Sequence, residues 1–335
     1  MNPIHRVYIL LLLLSSLYAE ERIVREQAVM GTYAFVALPA SHISSAGAIF
    51  DAMRRAEKSL SSFRSDGGVA RLNEKRSIKA DTILLKSLSY CRKLYEITDG
   101  YFDCTIGSLT KKLYRFGTDE EAIPSKSERE AAAVSMKGVK ITGEIVELDE
   151  GRVLDLGGLG KGVGVDLAAA EALKSGVESG IIGIGGDIRC LGPCRVDIQN
   201  PFGDGTVGTV RNGEGQLAVS TSGTYRRYIG SSRYNHLLDP YKKESAGRLL
   251  SVTLAAKLPN ALLDGLATAA AVMPVESAMR LVASQKTDAL FIAADGSILR
   301  FGRGIEVKPA ALGGFVLHPS LSLQEAARYM RREGR

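Results

Sequence analysis

Asp264 and Thr268, in the stretch LLDGLATAAAV, stand four residues apart. On a helix that spacing puts both side chains on one face, within reach of a single ion. Oxygen ligands of this kind suit magnesium, which keeps several waters and takes few protein groups. The same spacing also fits a helix that Asp264 caps and in which Thr268 is a bystander, and spacing alone leaves both readings open. His236, in YNHLLDP, precedes Asp239-Pro240 in a turn-like segment; an imidazole there could exchange a proton near neutral pH or be structural. Other polar residues flank glycines at the ends of strands: Asp187 in IGGDIR, Thr221 and Ser222 in STSGTY, and Asp103 in GYFDCT. Glycine at such places permits sharp turns and close approach of a ligand to the backbone. Their number within one chain makes a ligand pocket the expectation.

The stretch VLDLGGLGKGVGVD, Val153 to Asp166, raises the question of a phosphate loop. A Walker A loop needs Ser or Thr after its Gly-Lys, and here Gly162 follows Lys161. A dinucleotide fingerprint counted from Gly158 and Gly160 would end at Val163 instead of glycine. Both readings fail. What remains is a strand-like run, Val153 to Leu156, a glycine turn, and a helix from Lys161 to Ser175, an arrangement that still presents backbone amides to an anion.

The elements that must position these residues are mixed. IVREQAVMGTYAFVAL alternates as a strand with a turn at Gly31, and Ile43–Phe63 and Thr82–Thr98 read as amphipathic helices. The polar stretch GTDEEAIPSKSERE separates these from a strand-rich middle, GVKITGEIVELD, IIGIGGDIRCLG, RVDIQNP and QLAVSTSG. RLLSVTLAA follows as a buried strand, NALLDGLATAAAVM as a helix packed on it, and DALFIAADGSILRF as a hairpin turning at Asp295-Gly296. Strands often follow strands directly, so the fold class is α+β, mixed sheets with packed helices. No internal repeat, low-complexity tract or clean linker divides the chain.

The chain has 335 residues, 45% of them hydrophobic, enough for an ample core. Its start, MNPIHRVYILLLLLSSLYAEE, places Arg6 before an apolar run and a small-residue exit at Ala19, the pattern of a secretory signal over residues 1–19, with the folded domain over 20–335. No cysteine closes that segment, so the expectation is an exported, soluble protein without a lipid anchor. The net charge of +6 is a mild excess with no basic-aromatic interleaving and no Trp, which argues against nucleic-acid binding. Of the four cysteines, Cys190 and Cys194 flank a short turn and could be joined across it or remain thiols. Cys91 lies in a helical pattern and Cys104 beside Asp103; neither has metal-site spacing.

Taken in order, eight blocks resemble the FAD:protein FMN transferases of the ApbE family: MGTY (30–33), SSFRSDGGVARLN (61–73), GYFDCTIG (100–107), DLGGLGKGVGVD (155–166), IGGDIRCLG (184–192), STSGTYRRY (220–228), HLLDP (236–240) and SVTLAA with LLDGLATA (251–269). The resemblance implies an ApbE-like flavin transferase fold and a substrate, FAD. It assigns FAD contacts to Met30, Phe63, Tyr101, Phe102, Asp103, Gly157, Val163 and Leu238. It assigns a Mg2+ ion to Gly160, through its carbonyl, with Asp264 and Thr268. His236, aided by Asp239, would be the base that deprotonates the acceptor.

The implied reaction cleaves the pyrophosphate of FAD, places FMN on a Thr or Ser hydroxyl of an acceptor protein, such as a flavin-bearing subunit of a membrane redox complex, and releases AMP. The chain also departs from the pattern. Phe63 stands where tyrosine is usual, Gly67-Gly68 replace Ser-Glu, Cys104 replaces a common proline, Ala267 stands where some members have a second carboxylate, and the Thr-Gly after Asp239-Pro240 is missing. Two alternatives therefore stay open: hydrolysis of FAD to FMN and AMP, or a non-catalytic flavin-binding protein. If backbone groups and the metal hold the pyrophosphate, Lys161 should face solvent and be replaceable.

Overall fold

Met30 and Gly31 both take positive φ, 55° and 70°, as a two-residue hairpin turn between twisted strands requires. The structure, a computed structural model, describes residues 21–308 and 317–318. The signal-like segment 1–19 and the basic end of the chain lie outside them. The stretch read as a strand with a turn at Gly31 is the hairpin β1 (Arg22–Val29) and β2 (Thr32–Pro39). Two other glycine-broken stretches fold the same way. Beside the short β3 (Ser77–Lys79), β4 (Val139–Thr142) turns through Gly143 into β5 (Ile145–Leu148), and β6 (Ile181–Ile184) turns through Gly185 into β7 (Asp187–Cys190).

The remaining strands are β8 (Cys194–Gln199), β9 (Thr206–Asn212), β10 (Leu217–Gly223), the short pair β11 (Leu238–Asp239) and β12 (Glu244–Ser245), β13 (Leu249–Ala256), β14 (Asp288–Ala293), β15 (Ile298–Phe301), β16 (Ile305–Val307) and β17 (Leu317–His318). Nine of these strands form one sheet in the order β1-β2-β6-β7-β10-β13-β14-β15-β17, antiparallel except at its last pair. Side-chain alternation along β10 shows how the sheet divides its faces. Ala218 belongs to the helical core, whereas Val219 packs with Val196, Ile198, Val207 and Val210 of the small sheet β16-β9-β8 on the opposite face. The architecture is therefore three layers, small sheet, large sheet and helices, and the expected α+β class holds.

The helices are α1 (Ala46–Leu60), α2 (Gly68–Lys75), α3 (Thr82–Ile97), α4 (Gly107–Thr110), α5 (Lys126–Ala131), α6 (Gly160–Lys174), α7 (Asn260–Val272) and α8 (Val275–Ser284). Ile49, Phe50 and Met53 of α1 and Val165, Ala168 and Ala172 of α6 are buried against Ala34, Val36, Ile182 and Ile184 of the sheet. Burial of each large side chain contributes about 1.5–3 kcal/mol. α1 is shorter than the Ile43–Phe63 span expected from periodicity. Its C-terminal end is marked by Ser61, whose hydroxyl accepts from the amides of Phe63 (3.2 Å) and Arg64 (3.1 Å) and turns the chain away. The polar stretch read as a separator contains α5, started by a reciprocal cap between Ser125 and Glu128.

Two helices carry the candidate site, and they pack backbone to backbone. A methyl group on Gly162 of α6 would lie 2.3 Å from the carbonyl oxygen of Asn260 at the start of α7. One on Gly265 of α7 would lie 2.2 Å from Leu94 of α3. These glycines serve helix packing. The start of α7 has no cap from its own preceding residue, Pro259. Asp166 of α6 supplies it, accepting from the amides of Asn260 (2.8 Å) and Ala261 (3.0 Å) while pairing with Arg189 at 2.8 Å. Four cysteines form two disulfides, Cys190–Cys194 across its turn and Cys91–Cys104, a pairing the spacing did not suggest.

Candidate active site

A cleft of about 1060 Å³ opens between the helical layer, the glycine loop and the ends of the central strands. Met30, Phe63, Tyr101, Phe102, Asp103, Gly157, Gly160, His236, Leu238, Asp264 and Thr268 all line it. Val163 and Asp239 do not. Val163 is buried in the main core from the first turn of α6. Asp239 is also buried, and its carboxylate accepts from the amides of Tyr241 (2.9 Å) and Lys242 (3.2 Å). It shapes the turn after His236.

The floor of the cleft is a buried charge cluster. Asp264 lies inside α7, so the capping role that its spacing left open is excluded. It is 2% exposed, and Asp187, from the start of β7, is 0% exposed. Lys161 Nζ lies 2.6 Å from Asp187 Oδ2 and 3.2 Å from Asp264 Oδ2. The expectation that Lys161 faces solvent is therefore wrong. The first turn of α6 aims it across the cleft floor, because the N-terminal glycines let α6 sit directly against α7. Gly162 N–H donates to Asp264 at 3.1 Å, and Ser220 Oγ donates to Asp187 at 2.5 Å.

Burial and the neighbouring Asp187 charge raise the pKa of Asp264 against the opposing pull of Lys161. Burial alone would lower that of Lys161, but the two carboxylates outweigh it and hold the ammonium charged. One turn along α7, Thr268 Oγ1 donates to the carbonyl of Gly158 (3.2 Å) and lies 3.3 Å from Ser222 Oγ. Among the glycine-loop carbonyls, Gly158 is the one in contact with Thr268; Gly160 begins α6 and faces the cleft.

Two carboxylates face one ammonium in this floor, and a hydroxyl and a peptide carbonyl complete an all-oxygen donor set. That chemistry fits a hard divalent cation such as Mg2+. Among the described residues no group of three or more His, Cys, Asp or Glu side chains could hold a metal, so any such ion would rely on these mixed donors and water.

The walls are built differently. His236 Nδ1 lies 3.2 Å from the carbonyl oxygen of Arg227. A carbonyl only accepts, so this bond requires the proton on Nδ1 and leaves Nε2 as a free base. Burial, aided by the Arg227 and Lys161 charges, pushes the imidazole down from 6.5 to about 4, so it is neutral at pH 7. Phe63 is 55% exposed at the rim, with Lys111 Nζ 3.5 Å from its ring centroid. Lys111 also lies 3.8 Å from Asp155, which accepts from Thr110 Oγ1 (2.6 Å) and Gly157 N–H (2.9 Å). Asp103 spends its carboxylate on Thr105, by amide (2.7 Å) and hydroxyl (2.6 Å), and on the amide of Met136 (3.1 Å).

Sequence reasoning missed Lys111, Asn73 and the role of Lys161. Asn73 brackets Leu154 like a neighbouring strand, donating to its carbonyl (2.9 Å) and accepting from its amide (2.7 Å), and so holds the lead-in to the glycine loop. None of these has a local signal, because each partner comes from a distant part of the chain.

Fold and cleft together have counterparts in one family of proteins. The model of the ApbE family matches residues 30–291, and this chain belongs to that family. An FAD:protein FMN transferase of Rhodobacter capsulatus is 33% identical over 72% of this chain and 48% of its own length; the chain thus spans about half of that relative. One of Vibrio cholerae is 30% identical over 70% of this chain and 74% of its own. The crystal structure of the ApbE protein of Thermotoga maritima superposes with a TM-score of 0.76 at 27% identity, covering 83% of this chain and 96% of that one.

Proposed function

We propose that this chain transfers the FMN half of FAD to a Thr or Ser hydroxyl of an acceptor protein, releases AMP, and works outside the cytoplasm with Mg2+. The observation that carries the reading is the Asp264–Lys161–Asp187 cluster at the floor of a cleft whose lining includes the aromatic rings of Phe63, Tyr101 and Phe102 and the glycines of the loop before α6. Asp264, Thr268 and a glycine-loop carbonyl would hold the magnesium ion, whose charge would offset that of the pyrophosphate. The glycines of the loop before α6, which line the cleft, would let the pyrophosphate approach the backbone closely and lie in line with the acceptor.

The acceptor oxygen forms the new bond to the FMN phosphorus, and the bond from that phosphorus to the oxygen of the AMP phosphate breaks. The hydroxyl proton passes to His236 Nε2, and AMP leaves with the bridging oxygen. Phe63, Tyr101 and Phe102 provide the apolar walls for the flavin and adenine rings. The signal-like start and the two disulfides both favour an oxidising compartment. Among the described residues no helix is long and apolar enough to cross a membrane.

The test is incubation of the purified protein with FAD, MgCl2 and candidate acceptors from membrane redox complexes. Covalent flavin on the acceptor, seen as in-gel fluorescence, supports transfer. Free FMN and AMP alone would make the chain a hydrolase, and unchanged bound FAD would make it a carrier.

A further inference from the structure

Cys91 and Cys104 are fully buried and bonded to each other, with 5.9 Å between their Cα atoms. The bond ties the inner face of α3, which packs against α7, to the end of the Tyr101–Asp103 segment that lines the cleft. Cys91 lies on the inner face of α3, and Leu94, three residues on, is the side chain packed into the space above Gly265 of α7, next to Asp264. Cys104 directly follows Tyr101, Phe102 and Asp103, which line the opposite wall. Its carbonyl accepts from the amide of Asp155 at 2.8 Å, and Asp155 holds Gly157. The ring of Phe102 stands 3.1 Å from where a methyl on Gly158 would be.

Between α3 and Cys104 the chain passes through two residues at positive φ, Asp99 and Gly100. Near its start the loop is tied to the helix end by Thr98, whose hydroxyl donates to Leu94 (2.6 Å) and accepts from Phe102 (2.9 Å).

Resting on the FAD reading above, we infer that the Cys91–Cys104 disulfide is a positioning device for the substrate: it fixes the Tyr101–Asp103 wall and the glycine-loop lead-in relative to the α3–α7 pair, so the cleft is set to the width of FAD before FAD arrives. Fixing a binding wall in advance removes an ordering cost from association. The second disulfide serves as an internal control, since Cys190 and Cys194 belong to the core between the large and small sheets and not to the helical core that holds Cys91 and Cys104.

The experiment compares FAD affinity, by flavin fluorescence, and hydrogen exchange at residues 101–104 in the wild type, in Cys91→Ala/Cys104→Ala and in Cys190→Ala/Cys194→Ala. The first double variant should bind FAD about tenfold more weakly, exchange faster at 101–104, and show a larger rise in KM than fall in kcat. The second should keep wild-type affinity. If the alanine pair is too unstable to purify, Cys91→Val/Cys104→Ala refills the core and reads the same quantities. A folded Cys91/Cys104 variant with a lower melting temperature but unchanged FAD affinity and exchange would overturn the inference and leave the bond a simple staple. A wild-type protein that fails to bind FAD would instead overturn the proposed function on which the inference rests.

Discussion

The floor and the wall of the cleft are built on opposite principles. The floor places Asp187, Asp264 and Lys161 on a strand end and two helices, in a setting where both carboxylates are almost wholly buried and every charge meets another. The wall places Phe63, Tyr101 and His236 on loops, with Phe63 more than half exposed and His236 held through a single ring nitrogen. Phosphoryl chemistry needs fixed charge, which a rigid, water-poor site supplies at little reorganisation cost. Recognition of a large ligand and a protein acceptor needs surfaces that stay open. The division of labour follows from where each residue type can be held.

The comparison breaks most visibly at His236, the wall residue assigned a chemical role. His236→Ala should slow transfer by about 10²- to 10⁴-fold while FAD affinity stays near wild type; a variant that binds FAD poorly but turns over normally at saturation would return His236 to a binding role. Asp264→Ala should lower the rate on the order of a hundredfold or more, because a magnesium ligand contributes several kcal/mol in such reactions. Near-normal turnover of that variant in low magnesium would remove the acid from the metal site.

Lys161→Met tests the floor itself. It leaves two buried carboxylates facing each other without their ammonium, and breaking a buried pair in this way costs about 3–5 kcal/mol of stability. A denaturant midpoint equal to that of wild type would show the cluster to be solvated. In the wall, the lowered pKa of His236 links stability to pH. The unfolded chain binds a proton below about 6.5 that the folded chain refuses until about 4, so this contribution is complete above pH 6.5 and is lost as pH falls towards 4. Melting temperatures between pH 4 and 7 should fall more steeply for wild type than for His236→Ala. The smallest effect belongs to Phe63→Ala. Loss of its cation–π contact with Lys111 costs about 0.5–1 kcal/mol of stability, read as a small drop in melting temperature.

Much of this was legible in the sequence because it is local. Alternation and glycine breaks gave the hairpins around Gly31 and Asp295-Gly296, and the four-residue spacing placed Asp264 and Thr268 on one helix face, as found. What escaped depends on neighbours distant in the chain. Lys161 was expected in solvent because its own segment gives no hint of Asp187 or Asp264. The glycines of the stretch 157–164 were read as a ligand loop, yet Gly162 is a contact surface for α7. A methyl on Gly160 would meet Met30 at 3.5 Å and Leu60 at 3.8 Å, both ordinary contacts, so Gly162→Ala should be the more damaging change of the two. Cys91 and Cys104 carried no pairing signal, since an approach of α3 to the loop that follows it is a property of the fold.

The cap that Asp166 gives to α7 has a consequence for how the protein comes into being. The first amides of α7 find their acceptor on a residue that precedes them by 94 and 95 positions. Such a long closure is slow to form and is rewarded only when both helices are in place. The helix that bears Asp264 and Thr268 is thus completed late, and together with the glycine loop it faces. The floor of the cleft is complete only where α6 and α7 are in place together.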